Sequence, residues 1–176
     1  MSLRCTPNLI LQIRTRIPSE LPSREAMARC LVEALRVVFD QLPNSLPERD
    51  LELGMTLTDD QGIKTINKAY RLVDAPTDVL SFPLFTNGES FEEEQPEGPP
   101  LSLGDIVINL QTIERQASDR GLKLHERFAE CMVHGLLHIM GWEHSSDLSQ
   151  GRMEALEDEL VPAVSELLSP ECAGET

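Results

Sequence analysis

Aromatic side chains are scarce in this chain: five Phe, one Tyr and one Trp make up only 4% of it. Leu, Val, Ile and Met must therefore fill most of any core. Basic residues are also short, with 15 Lys and Arg against 30 Asp and Glu, a formal net charge of −15. Such a surface repels phosphate backbones on average, which disfavours broad, non-specific nucleic-acid binding and leaves only a local basic groove open. No CxxC pair occurs: Cys5, Cys30, Cys131 and Cys172 stand far apart, and a disulfide framework is not expected. No stretch approaches the roughly 20 apolar residues that span a bilayer. The opening MSLRCTPNLILQIRTRI lacks the long apolar run and small-residue cleavage site of a secretion signal. The expectation is a protein of the reducing cytoplasm with no membrane partner.

What remains is ordinary globular composition, 40% apolar and 26% charged over 176 residues, enough for one domain covering 1–176. Residues 8–17 alternate apolar and polar and predict a strand. Residues 23–42 carry apolar side chains at helical spacing, with Ser23 as N-cap and Pro43 beyond the far end. A second strand is expected at 51–57, then a short helix capped by Asp59 or Asp60 and running through Ile63, Ile66, Asn67 and Tyr70. A strand at 78–84 follows Pro76, and 87–100 (NGESFEEEQPEGPP) reads as a mobile acidic surface loop. Residues 103–110 give a fourth strand, and helices are expected at 110–118, 124–140 and 148–168. The fold class is thus α+β: a small mixed sheet covered by helices.

Only four histidines are present, and three fall within HGLLHIMGWEH, residues 134–144. His134 and His138 lie one helical turn apart and project from the same face. Gly141 suits the end of that helix, because it takes the left-handed conformation without steric cost. The chain then turns and brings His144 back. Three imidazoles so placed suit one tetrahedral zinc ion with a fourth position open to water. Cys131 offers a further ligand, although a Cys within a helix is more often simply buried. His125 is expected to be solvated or capping, and Met140 and Trp142 to pack around the metal loop.

An open zinc position suggests hydrolysis. HxxxHxxGxxH is also the metzincin ligand spacing, but the glutamate base of those peptidases is here Gly135, and Glu143 is no assured substitute. Arg71 stands where a guanidinium clamps phosphate oxygens, or else pairs with Asp74. Asp78 either braces its strand or orients an active-site group, while Asn67 and Lys68 either meet substrate or are merely solvated.

Three blocks resemble the YbeY family of metal-dependent endoribonucleases, also called rRNA maturation factors: INKAYRLVDAPTDVLSFP (66–83), LGDIVIN (103–109) and HGLLHIMGWEH (134–144). They occur in the family's order, with a helical region between the last two, and the likeness runs from about Leu51 onward. It implies a mixed sheet with helices, and one zinc on His134, His138 and His144. It also implies a catalytic role for Arg71 and His134 and single-strand-specific cleavage of ribosomal RNA, with maturation of the 16S rRNA 3′ end and ribosome quality control. Ribosomal RNA and the small ribosomal subunit or its assembly factors would be the partners. The family usually has Asp where this chain has Glu143, and the 87–100 loop is an elaboration. The alternatives are a zinc peptidase-like hydrolase and a non-catalytic ribosome-assembly factor with structural zinc.

Overall fold

The computed structural model describes residues 9–41, 49–84, 98–142 and 147–169. The predicted 8–17 strand becomes β1 (Leu9–Ile13), shorter than its alternation suggests. The chain leaves the ladder after the Arg14 N–H bonds the Met55 carbonyl, and the Thr15 hydroxyl then takes over as acceptor for the Leu57 N–H at 2.9 Å. Helix α1 (Arg24–Asp40) starts as expected, with the Ser23 hydroxyl accepting from the Ala26 N–H. Next come β2 (Leu51–Thr58), α2 (Asp60–Arg71), β3 (Val79–Pro83) and β4 (Leu101–Asn109). Three helices finish the described chain: α3 (Leu110–Arg120), α4 (Leu124–Ile139) and α5 (Asp147–Leu167). Of the acidic segment at 87–100, residues 87–97 lie outside the described residues.

The four strands form one mixed sheet in the order β1-β2-β4-β3. β1, β2 and β4 run parallel, and β3 is an antiparallel edge strand with Leu80 opposite Val107 and Phe82 opposite Asp105. Because side chains alternate across a sheet, its two faces carry different cores. Leu51, Leu53, Met55, Ile106 and Ile108 face the main core with α1, α4 and α5, where Phe128, Met27 and Met153 are fully buried. Leu80 and Val107 face the other way and pack with Ile63 of α2. Gly135 lies against the first face, where an added Cβ would sit 2.9 Å from Ile106 Cγ2. The histidine helix α4 and the Arg71 helix α2 therefore lie on opposite faces of one thin sheet.

Polar residues of the family-like blocks hold these layers together. Asn109 is fully buried and caps α3, and its Nδ2 donates to Asp60 Oδ1 (2.7 Å) and to the Thr77 carbonyl (3.0 Å). Arg115 contributes most to holding the Asp60 carboxyl well below the usual carboxylate range, with Asn109 and Thr112 adding to it. These bonds tie the first turn of α2 to the first turn of α3. Asn67, expected to be solvated or at the substrate, is instead buried, and its Nδ2 donates to the Ala75 carbonyl at 2.8 Å. It shares the inner face of α2 with Ile63, four residues earlier, and pins the 72–78 loop.

Candidate metal centre

His134 and His138 project side by side from α4, half-buried, with ring centroids 4.5 Å apart and Nε2 atoms 3.1 Å apart. The end of the helix sets the second ring. Gly141, at φ 89, closes a double cap: its N–H bonds the His138 carbonyl (3.1 Å), and the Trp142 N–H bonds the Leu137 carbonyl (3.0 Å). That reversal carries the Trp142 carbonyl to 2.8 Å from His138 Nδ1. A carbonyl only accepts, so His138 carries its proton on Nδ1 and presents a lone pair at Nε2. His134 is fixed in the same sense by Glu157 of α5, whose Oε1 lies 2.7 Å from His134 Nδ1. With both Nδ1 atoms so engaged, the two Nε2 atoms converge on one spot, 3.1 Å apart. Neutral imidazoles whose far nitrogens donate to a carboxylate and a carbonyl are the donor set a divalent transition metal takes. The two described histidines suit such a metal, and no third ligand stands with them among the described residues.

Glu157 was not singled out by the sequence reading, yet a signal for it exists. Met153, Leu156, Leu160 and Val164 form the buried stripe of α5, and Glu157 sits within that stripe at helical spacing from Met153 and Leu160. A carboxylate on an apolar stripe needs a partner, here the histidine.

A cleft of about 440 Å³ opens beside His134, lined by Asp78, Val79, Arg127, Cys131 and Glu157 among others. Its charges are largely paired: Arg127 reaches Asp78 Oδ2 at 2.6 Å and Glu130 Oε2 at 3.1 Å, and Arg120 holds Glu130 from the other side. Burial pushes the Asp78 carboxyl up, but the Val79 N–H and Arg127 outweigh it, and the net shift is below the usual value of 3.8. Its contribution to stability is therefore present at neutral pH and lost as pH falls below 3.8 through the depressed value. Asp78 braces the start of β3 against α4. Cys131 is buried in the cleft wall, and desolvation pushes its thiol up to about 12.

His144 and Glu143 lie outside the described residues. Arg71 is exposed at the last position of α2 and makes no hydrogen bond or ion pair among the described residues. Its suggested partner Asp74 is instead engaged by Lys68 (2.9 Å) and Lys64 (3.5 Å). His125 corrects an expectation: it is buried, not solvated, because positions 125, 128, 129 and 132 share one face of α4 with Phe128, Ala129 and Met132. Capping there falls to Glu126, whose carboxylate accepts the Lys123 N–H at 2.6 Å. Gly135 faces Ile106 and Ser81 of the sheet, so a base at that position would be buried away from the histidine rings. Met140 is buried, and Trp142 packs half-buried against the main core.

The family model described as Endoribonuclease YbeY matches residues 17–165. An Endoribonuclease YbeY of Rhodopseudomonas palustris (strain BisB18) is 41% identical over 112 residues, covering 64% of this chain and 64% of the relative. Another, from Persephonella marina, is 33% identical over 157 residues, covering 89% of this chain and 95% of the relative. The solution structure of TM1509 from Thermotoga maritima matches 95% of this chain and all of its own with a TM-score of 0.53. At 23% identity that last likeness shows the fold alone.

Proposed function

Because this chain belongs to the YbeY endoribonuclease family, we propose that it is a zinc-dependent endoribonuclease cutting single-stranded regions of ribosomal RNA. Maturation of the 16S rRNA 3′ end and ribosome quality control are the processes it serves. It acts in the cytoplasm with the small ribosomal subunit or its assembly factors. The observation that carries the metal reading is the 3.1 Å approach of two Nε2 atoms whose rings are each oriented by an acceptor on Nδ1.

His134, His138 and His144 would hold one zinc ion. Bound there, zinc supplies a Lewis acid for phosphoryl oxygens and a water of lowered pKa. Glu157 and the Trp142 carbonyl hold the two rings in the ligating tautomer. Arg71, without an ion pair among the described residues, is a guanidinium suited to two oxygens of a phosphodiester. Glu157→Gln should weaken zinc binding about 10- to 100-fold while leaving Tm nearly unchanged, measured by competition with a chromogenic chelator. An unaltered affinity would remove Glu157 from this role.

The peptidase alternative is disfavoured because Gly135 is packed against the sheet, leaving the metzincin base without a place. The two readings part when zinc-loaded protein is offered a ribosomal RNA fragment and denatured casein side by side. RNA fragments with intact casein support the nuclease; the reverse supports the peptidase.

A further inference from the structure

Five large apolar side chains are exposed among the described residues, and four of them lie at the end of α2 and the end of β3: Tyr70 (72%), Leu72 (89%), Val73 (48%) and Leu84 (61%). Tyr70 lies in the last turn of α2 with its ring edge-on to Phe82 of β3, centroids 5.1 Å apart. Leu84 lies two residues beyond Phe82, on the same side of the strand. Leu72 stops the helix at φ 60, a left-handed conformation that costs a leucine steric energy and leaves its side chain outside.

The charge here is also unlike the rest of the molecule. Residues 61–73 (QGIKTINKAYRLV) carry Lys64, Lys68 and Arg71 and no carboxylate, in a chain with twice as many acids as bases. Asp74 offsets one of these charges by pairing with the lysines, and Arg71 stays unpaired among the described residues. Aromatic surface beside unpaired positive charge is the chemistry that binds unpaired nucleotides, by stacking on the base and contacting the phosphate. The spot also adjoins the candidate centre around the edge of the sheet. Phe82 carries Tyr70 on one face of β3, while Val79 of the same strand lines the His134 cleft on the other.

We propose that Tyr70 is a stacking platform for a base of the single-stranded RNA substrate, with Arg71 on the adjoining phosphate and the β3 edge guiding the strand toward the histidines. This rests on the endoribonuclease reading and names where that substrate is gripped.

The chain holds a single tyrosine, so tyrosine-selective isotope labelling gives one ring signal that reports this site alone. The protein is titrated with a short fluorescein-labelled oligodeoxyadenylate, which lacks the 2′-hydroxyl and is not a ribonuclease substrate. The ring signal should move upfield as the base stacks. Tyr70→Ala should weaken binding roughly ten-fold or more, and Tyr70→Phe should keep it. Arg71→Ala should lower the slope of log affinity against log salt by about one. Tyr70→Leu separates stacking from mere greasiness: binding as weak as Tyr70→Ala supports the platform. Wild-type affinity in Tyr70→Leu overturns it and marks the patch as an apolar docking site for a protein. An unmoved ring signal and unchanged Tyr70→Ala affinity, with RNA still cut by zinc-loaded wild type, would overturn this proposal alone. Wild type that neither binds the oligonucleotide nor cuts RNA would remove the endoribonuclease reading with it.

Discussion

His138→Ala should release the bound metal and lower RNA cleavage about a thousand-fold or more. The size follows from losing a metal that supplies several kcal/mol of transition-state stabilisation, at about 1.4 kcal/mol per factor of ten. The fold should survive. His138 is half-buried, and among the described residues its removal leaves the Trp142 carbonyl without a donor, a cost of about 1–3 kcal/mol. Elemental analysis of the purified variant, beside circular dichroism and a cleavage assay, separates loss of metal from loss of fold. A folded variant that keeps a full equivalent of zinc and cuts normally would show that the paired histidines are not the ligands.

The second large effect concerns Arg71. Arg71→Ala should reduce kcat/KM for RNA by about 10²- to 10³-fold, the cost of losing one well-placed group that stabilises developing charge. Tm should stay within about 0.5 kcal/mol equivalent of wild type, because the exposed side chain makes no hydrogen bond or ion pair among the described residues. Arg71→Lys should fall between, since an ammonium keeps the charge and loses the two-pronged fit to a phosphate. The kinetics are read on zinc-loaded proteins of matched metal content. Equal kcat/KM for wild type and Arg71→Ala would leave Arg71 without a part in cleavage.

The elements of this fold were readable because each announces itself over a few residues. Period two marked β1 and β2, helical spacing marked α1, α4 and α5, and Ser23 and Asp59 start helices and Gly141 closes one as their chemistry suggests. The order β1-β2-β4-β3 was not readable, because strand neighbours are chosen by long-range packing that no local pattern records. At the candidate site, the pairing of His134 with His138 follows from helix geometry alone. Glu157 was missed because it meets His134 across 23 positions and between two helices. Asn67 and His125 were misjudged for a different reason: polar residues were read as surface residues although their helical phase placed both on buried faces. The role expected of Arg71 came from the family-like blocks, since an exposed guanidinium carries little signal of its own.

If His134, His138 and His144 hold one metal ion on which RNA cleavage depends, activity must follow metal content. The most direct measurement strips the protein of metal, then follows cleavage of a single-stranded ribosomal RNA fragment as zinc is returned in steps. Cleavage should be absent without metal and should rise until it levels off at one equivalent per chain. Cleavage that persists unchanged in the stripped protein would contradict it.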